Sequence, residues 1–372
     1  MRAFVFTDKA LERYAGQFVW LAIDTENSTN ANFLTKYPIN VWPTLMIIDP
    51  KKESVALRYA GGATVPQLTK LLSDGAKVVH GANGKADEAI ARGDRLVNEK
   101  KNAEAVVAYE EAIKSAPKNW SRLGRAAESL TFAFYGSRDY DRCATEALAL
   151  YPRVKGTYAS MNVASMGLAC ASEKPENRAT FDALEKTTRE TLDNPKIPLS
   201  GDDRSGLYET LISAREALKD EEGAQKLRND WAAFLEGEAK KAKTAEQRAV
   251  YDSHRITAYI ALKQPERAIP MLEESERDFP TDYNPPARLG LIYRTMGRYD
   301  DALAAYDRAL TRAYGPRKIG ILRGKADSYA GKGDKESAKK TIEEAIRFAE
   351  SLPDGQRSDS AIASLKKKLE TL

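Results

Sequence analysis

The C-terminal part of the chain repeats one pattern of small and large residues every 34 to 36 residues. Two positions of the pattern show this period: the first holds Tyr259, Tyr293 and Tyr329, and the second holds Ala268, Ala302 and Ala338. Small residues recur where two helices must approach closely, and large ones recur where they fill the space between helices. A period of this length is typical of a stacked helix–turn–helix array, in which no single repeat can bury its own apolar face.

The pattern is not equally clear along the chain. The best repeats are predicted at residues 86–119, 249–282, 283–316 and 319–352. Between them, residues 120–248 carry helical patterns that match the repeat less well. We therefore expect about seven helix pairs from residue 86 onward.

Residues 1–80 differ in kind, because they lack the repeat. Residues 18–24 and 44–49 are short apolar runs of strand length that each end in Asp, and residues 54–61 alternate like an edge strand. A short helix is expected between the first two runs, and another helix should begin at Thr64, with Pro66 in its first turn. The chain is therefore predicted to be mainly α-helical and to divide into three parts: a small α/β segment, a linker and a helical array, at residues 1–80, 81–85 and 86–372.

Composition and motifs exclude several classes of function. No run of 18 apolar residues is present, and residues 1–14 do not resemble a signal peptide. The net charge is only +4 and no Lys/Arg block is interleaved with aromatic residues, so no nucleic-acid or membrane partner is expected. His80 and His254 lie far apart without cysteine neighbours, and no catalytic motif is found. We expect no metal, no cofactor and no catalytic residue. The compartment is unknown: cytoplasmic by default, or periplasmic if the N-terminus is truncated.

Two cysteines, Cys143 and Cys170, are too few for a disulfide framework. Cys143 occupies the position that holds Ala in the other repeats, and a buried cysteine packs like a small apolar residue. The two cysteines belong to successive helices but are not placed symmetrically about the turn between them. A packing role is therefore preferred for Cys143, and a disulfide stays open as the alternative.

The unit LGLIYRTMGRYDDALAAYDRALTRAYGP, residues 289–316, resembles a tetratricopeptide repeat at nearly every position of that family's pattern. The resemblance implies antiparallel helix pairs whose inner helices line a concave groove that binds peptides or partner proteins. The groove-facing residues it implies are Asp87, Asp94, Asn284, Leu291, Arg294, Arg323 and Asp327. The alternative for each is an ordinary solvated residue. If the groove binds a peptide, Arg294 and Arg323 should favour a ligand with a carboxylate.

The stretch YPINVWPTLMIIDPKKESVALRYAGG, residues 37–62, resembles the later part of a thioredoxin-like domain. The resemblance implies a cis peptide bond between Trp42 and Pro43, followed by Thr44 at the start of a strand. That family carries a redox-active Cys-x-x-Cys motif, whereas residues 1–80 contain no cysteine. The segment is therefore expected to be a partial, redox-inert member of this fold.

Together these features favour a non-enzymatic interaction scaffold that binds a peptide or partner protein in the groove of a helical solenoid. Two alternatives stay open. The first is a thiol–disulfide oxidoreductase whose Cys-x-x-Cys motif lies upstream of Met1, and the second is a structural spacer in an assembly.

Overall fold

A computed structural model describes residues 1, 4–39, 41–81 and 84–372. Within these residues the secondary structure is mostly helical, with two strands, β1 (Thr44–Asp49) and β2 (Ser54–Ala60), and three short 3-10 helices at Lys9–Tyr14, Ser28–Asn30 and Pro265–Ala268. The α-helices are, in chain order, α1 (Ala31–Lys36), α2 (Val65–Val79), α3 (Lys85–Asn98), α4 (Asn102–Lys114), α5 (Leu123–Ser137), α6 (Tyr140–Val154), α7 (Ala159–Ser172), α8 (Arg178–Asp193), α9 (Gly201–Ala217), α10 (Glu221–Lys241), α11 (Ala245–Ala249), α12 (Asp252–Ala261), α13 (Ile269–Asp278), α14 (Asn284–Thr295), α15 (Tyr299–Arg312), α16 (Arg317–Gly331), α17 (Lys335–Glu350) and α18 (Asp359–Thr371).

The chain divides into two units by its internal contacts. Unit 1 comprises Met1–Gln17 and Asn40–Leu235, and unit 2 comprises Phe18–Ile39 and Glu236–Leu372. Residues 18–39 therefore group with the C-terminal repeats, although the chain on both sides of them belongs to unit 1. The division of the chain into residues 1–80, 81–85 and 86–372 stays a prediction.

In unit 1 the two strands form an antiparallel pair. Thr44 lies opposite Ala60 and Ile47 lies opposite Leu57, with an irregularity of register after Ile47. The strands predicted at 44–49 and 54–61 are confirmed. Most of β2 is buried, because α2 and α3 both pack against it.

Helix α2 begins where the sequence predicted. The Thr64 side chain caps the backbone N–H of Gln67, and the Gln67 side chain accepts a hydrogen bond from the Thr64 N–H, which satisfies two end groups of the helix at once. Pro66 occupies the first turn, where a missing N–H costs nothing.

The strand predicted at residues 18–24 is wrong: these residues adopt no regular secondary structure. In the part of the chain that the structure describes, the sheet consists of β1 and β2, and residues 18–24 group instead with the C-terminal helices of unit 2. Val19 and Leu21 are exposed instead of buried in a sheet. The short helix predicted after them is confirmed as α1.

The helices of unit 1 after residue 85 pair in sequence: α3 with α4, α5 with α6, α7 with α8, and α9 with α10. Gly93 of α3 shows why a small residue recurs in the repeat. A Cβ atom there would overlap the ring of Tyr109 on α4. Gly167 of α7 has the same relation to Leu184 of α8, so the region with the weaker pattern packs by the same rule.

Cys143 of α6 and Cys170 of α7 form a disulfide, and their Cα atoms lie 6.0 Å apart. The preference for a packing role alone was therefore wrong, and the alternative that the sequence left open is correct. Both cysteines are fully buried. The unequal distances of the two cysteines from the turn do not prevent the bond, because the crossing of the two helices determines which side chains meet.

The repeats of unit 2 continue the pattern with α12 to α17, and the short 3-10 helix at Pro265–Ala268 precedes α13. The Tyr306 ring of α15 lies where a Cβ atom on Gly290 of α14 or Gly324 of α16 would be. Ala302 and Ala338, at the predicted close contacts, are fully buried. Helix α18 then places Ile362 and Leu365 on the apolar cluster that Leu322, Ala326, Ile342, Ala345, Ile346 and Ala349 form. About seven helix pairs were expected, and the described residues form seven.

Candidate binding surfaces of the repeat helices

Asp94 of α3, predicted to face a groove, is buried, with only 1% of its surface exposed. Its carboxylate accepts hydrogen bonds from the Tyr109 hydroxyl at 2.9 Å and from Arg125 Nη1 at 2.7 Å. The backbone N–H of Arg58, on β2, also points to it at 3.4 Å. The expectation of an accessible Asp94 is therefore corrected: strand β2 covers this side of α3.

The electrostatics of this contact follow from its burial. Burial alone would lower the pKa of the Arg125 guanidinium, but the Asp94 carboxylate outweighs that effect and raises it. Burial, together with Asp94, raises the pKa of the Tyr109 hydroxyl well above its ordinary value. Arg125 is thus a permanent cation and Tyr109 a permanent donor, and both are committed to Asp94.

Asp87, the second residue of unit 1 predicted to face a groove, is also occupied within the protein. It accepts a hydrogen bond from Trp120 Nε1 at 2.8 Å, and Arg122 Nη1 lies 3.0 Å from the same oxygen. Arg122 in turn forms a buried ion pair with Asp74 of α2, with 3.2 Å between Nε and Oδ1. These pairs join α2 to the first two repeats.

A polar cleft remains between α2, β2 and the repeat helices α5 and α7. Its lining residues are Tyr59, Gln67, Lys70, Leu71, Asp74, Arg125, Glu128 and Tyr158. Glu128 Oε1 accepts a hydrogen bond from Asn162 Nδ2 at 2.9 Å, whereas Oε2 has no hydrogen-bond partner among the described residues. Burial raises the pKa of Glu128 to about 7, although Asn162, Arg125 and Lys70 act in the opposite direction. Glu128 therefore changes charge near neutral pH.

The predicted residues of unit 2 lie on α14 and α16. Arg294 Nη1 is 3.3 Å from Asp327 Oδ2, and Lys368 Nζ of α18 is 2.5 Å from the other oxygen of Asp327. Arg323 is exposed and forms no ion pair or hydrogen bond with any residue that the structure describes. Arg294 is therefore already paired within the protein. Of the two arginines that were predicted to favour a ligand carboxylate, only Arg323 has no ion pair among the described residues.

The last two predicted groove residues are partly accessible. The backbone N–H and the side-chain amide of Asn284 both donate to Asp282 Oδ1, at 2.8 and 2.7 Å. Leu291 is half-buried on α14. The structure thus places Asn284, Leu291, Arg294, Arg323 and Asp327 on neighbouring helices of unit 2. Asp87 and Asp94 lie in unit 1, where side chains of that unit bind both carboxylates.

The peptide bond between Trp42 and Pro43 is cis, as the resemblance implied. Trp42 is exposed, and Thr44 begins β1 with its hydroxyl donating to the Val41 carbonyl at 2.6 Å. Both cysteines of the sequence are bound in the disulfide between α6 and α7, so neither is a free thiol.

Two further observations bear on the kind of site. Among the residues with described positions, no cluster of His, Cys, Asp or Glu has an arrangement that could hold a metal ion. None of the described helices combines the length and apolarity that crossing a bilayer requires.

The sequence reasoning missed two groups of residues. Arg125 and Glu128 lie on α5, where the sequence matches the repeat pattern less well. Asp24 and Glu26 contact the far end of the chain, and no local pattern announces a contact between residues so distant in sequence.

Comparison with known proteins identifies the repeats. Residues 283–351 match the family model described as tetratricopeptide repeat. Residues 283–351 therefore carry the pattern of tetratricopeptide repeats. A similar curated protein is the small glutamine-rich tetratricopeptide repeat-containing protein 2 of Saccharomyces cerevisiae, which is 26% identical over 197 residues, covering 53% of this chain and 50% of that protein. The chain thus spans about half the length of this relative.

Solved structures with tetratricopeptide repeats are also similar, at low identity. A tetratricopeptide repeat protein from Parabacteroides merdae is 12% identical, with 77% of this chain and 99% of that chain covered and a TM-score of 0.44. The TPR2AB-domain:pHSP90 complex of yeast Sti1 is 16% identical, with 77% of this chain and 98% of that chain covered and a TM-score of 0.29.

Proposed function

We propose that this protein is a non-enzymatic interaction scaffold, and that it binds a peptide or partner protein on the face of α14 and α16 in unit 2. Tetratricopeptide repeats generally mediate contacts between proteins, and residues 283–351 carry that family's pattern. The partner-binding residues in this proposal are Asn284, Leu291 and Arg323, with Arg294 and Asp327 fixed by their ion pair at the edge.

The observation that carries the proposal is a difference in exposure between the predicted groove residues of the two units. Asp94 in unit 1 is buried under β2, whereas Arg323 in unit 2 is exposed. An exposed, unpaired guanidinium can bind a carboxylate through two parallel hydrogen bonds without first breaking an internal ion pair. Unit 1 has no equally accessible residue among the predicted groove positions.

The oxidoreductase alternative is not favoured by any observation. That alternative placed a Cys-x-x-Cys motif upstream of Met1. The cysteines of the given sequence do not supply the exchangeable thiols, because Cys143 and Cys170 are buried in a disulfide. The likeness of residues 37–62 to a thioredoxin-like fold stays a prediction, which the order β1, β2, α2 supports.

We further propose that the protein folds in an oxidising compartment. The buried disulfide between Cys143 and Cys170 supports this, because disulfides persist in oxidising compartments and are rare where cellular thiols are kept reduced. Alkylation of protein isolated without reductant, followed by mass spectrometry, tests it: two alkylated cysteines would contradict the proposal.

The scaffold proposal is tested with three immobilised full-length proteins: wild type, Arg323→Glu and the control Arg277→Glu. Arg277 lies exposed on α13, outside the proposed face. We expect a stoichiometric partner from an extract of the source cells to bind the wild type and the control, and to be lost from Arg323→Glu. Equal retention by all three proteins would show that the partner binds elsewhere.

A further inference from the structure

Residues 24–27 form a turn that carries two carboxylates, and we call it the acidic turn. The Asp24 carbonyl accepts a hydrogen bond from the Asn27 N–H at 3.3 Å and another from Asn30 Nδ2 at 2.8 Å. Asp24 Oδ1 accepts from the Glu26 N–H at 2.9 Å. The turn is therefore held by its own hydrogen bonds, and the Glu26 carboxylate and the second Asp24 oxygen are left to point outward.

Both outward groups are bound by unit 2, to which residues 18–39 also belong. The Tyr283 hydroxyl lies 2.9 Å from each oxygen of the Glu26 carboxylate, and Arg317 Nε donates to one of them at 2.9 Å. The Tyr314 hydroxyl donates to Asp24 Oδ2 at 2.7 Å. Each outward carboxylate therefore has a donor from unit 2.

The backbone of the acidic turn is bound as well. Gln356 Nε2 donates to the Thr25 carbonyl at 2.9 Å. The donors lie at three of the connections that lead from one helix pair to the next, before α14, before α16 and before α18, with Arg317 as the first residue of α16. We call these residues the turn surface: Tyr283, Tyr314, Gly315, Arg317, Gly355 and Gln356.

Two glycines shape the turn surface to its occupant. A Cβ atom on Gly315 would overlap the Glu26 carbonyl oxygen, and one on Gly355 would overlap the Ala31 carbonyl oxygen. The glycine of another connection, Gly297, also has a positive φ, but a Cβ atom there would meet nothing. The close approach at Gly315 is therefore a property of the docked segment, beyond what a helix connection requires.

The chemistry of the contact selects acidic ligands. Two tyrosine hydroxyls, a guanidinium and an amide face two carboxylates and a carbonyl, so every bond has a donor on the surface and an acceptor on the turn. Hydrogen bonds to a charged partner are about twice as strong as neutral ones. Asp24, Thr25 and Glu26 bring no large apolar side chain, so the contact depends on polar groups that a second acidic turn could also supply.

We propose that the turn surface is a binding site for acidic turns of partner proteins, occupied in this chain by its own acidic turn as an intramolecular ligand. The site is separate from the proposed face of α14 and α16, because its donors lie at the helix connections. A covalently attached ligand has a high effective concentration, so a partner must compete with Asp24 and Glu26 for the site.

The test uses a full-length variant in which the internal ligand is weakened, Asp24→Asn with Glu26→Gln. The carboxamide that replaces the Asp24 carboxylate can still accept the hydrogen bond that holds the turn. The probe is a fluorescent peptide with the sequence of residues 20–30, and binding is measured by anisotropy. We expect the peptide to bind the variant at least tenfold more tightly than the wild type. A peptide with both carboxylates neutralised should bind at least tenfold more weakly.

Surface variants then locate the binding. Added to the weakened protein, Gly315→Ala or Arg317→Gln should reduce peptide affinity at least tenfold, whereas Gly297→Ala should leave it unchanged. Circular dichroism confirms that each variant is folded. Equal peptide binding to wild type and weakened protein, or loss with Gly297→Ala as great as with Gly315→Ala, would overturn the proposal. Because none of these variants changes Asn284, Leu291 or Arg323, this test and that of the scaffold proposal can fail independently.

Discussion

The two units use the same repeat position in opposite ways. Asp94 of unit 1 and Asp327 of unit 2 occupy equivalent positions of the repeat pattern. Asp94 is 1% exposed and bound by residues of β2, α4 and α5, whereas the Asp327 side chain is 21% exposed and lies between Arg294 and Lys368. The repeat fixes where the side chain is attached to the helix, and the element that lies over it decides whether it is core or surface.

The contacts inside the repeats do not differ in this way. Gly93 meets Tyr109 in unit 1, and Gly290 meets Tyr306 in unit 2, by the same close approach of a ring to a glycine Cα. This packing contact between paired helices is therefore common to both units, whereas the cover over the equivalent positions Asp94 and Asp327 differs. Substitutions at Asp94 and Asp327 therefore measure this difference between the two units.

The largest expected effect comes from Asp94→Asn. The change keeps the shape but leaves the buried Arg125 without a counter-charge, and breaking a buried ion pair of this kind costs about 3–5 kcal/mol of unfolding free energy. Urea unfolding followed by the fluorescence of the buried Trp231 of unit 1 measures it. The equivalent Asp327→Asn, followed by circular dichroism, should cost less than about 1 kcal/mol because its partners are solvated. Equal losses of unfolding free energy in Asp94→Asn and Asp327→Asn would show that the burial of the carboxylate does not determine its contribution to stability.

The contrast between contacts inside the repeats and the cover over Asp94 shows what can be predicted from the sequence. Tyr306, Ala302 and Ala338 were placed correctly, because a repeat must bury the same contact in every copy. The burial of Asp94 was not predicted, because the strand that covers it, β2, is not part of the repeat. The acidic turn was missed for a related reason, since Glu26 meets Arg317 across most of the chain and no periodic pattern records such a contact.

The second prediction concerns the disulfide, which distinguishes unit 1 from unit 2. Cys143 and Cys170 are 27 residues apart, and closing a loop of this length stabilises the folded state by about 3–4 kcal/mol through the entropy of the unfolded chain. The double variant Cys143→Ala with Cys170→Ala should lower the stability of unit 1 by about that amount. Hydrogen exchange resolved by peptide should show faster exchange in α6 and α7 and no change in α14 to α17. A uniform change across both units would contradict the assignment of the effect to unit 1.

A third prediction uses pH. Burial raises the pKa of Glu128 in the folded state to about 7 from an ordinary value of 4.5, so the folded protein binds this proton more tightly than the unfolded chain. The stability from this group is fully present below pH 4.5 and is lost as pH rises to about 7, by at most about 3 kcal/mol. Glu128→Gln should remove this loss and be more stable than wild type at pH 8, as measured by urea unfolding at a series of pH values.

Glu236 of unit 2 provides the opposite sign. Burial would raise its pKa, but hydrogen bonding from Tyr259 and the charge of Arg267 lower it below the ordinary value of 4.5. Its contribution is present above pH 4.5 and is lost as pH falls through the lower folded value, so Glu236→Gln should be less stable than wild type at pH 6. If Glu128→Gln and Glu236→Gln shifted the free energy of unfolding in the same direction at pH 8, the opposite pKa shifts of the two carboxyl groups would be contradicted.

The smallest expected effect tests what the units share. Gly93→Ala and Gly290→Ala each add a methyl group against a tyrosine ring, so each should destabilise its own unit by about 1–3 kcal/mol through overpacking. Gly320 of α16 is the matched control, because a Cβ atom there meets nothing, and alanine in a helix is more favourable than glycine by about 0.5–1 kcal/mol. Thermal melts should therefore show lower midpoints for the first two variants and an unchanged or higher one for Gly320→Ala. If Gly93→Ala lowered the midpoint and Gly290→Ala did not, the two units would differ in their internal packing as well as in their exposed faces.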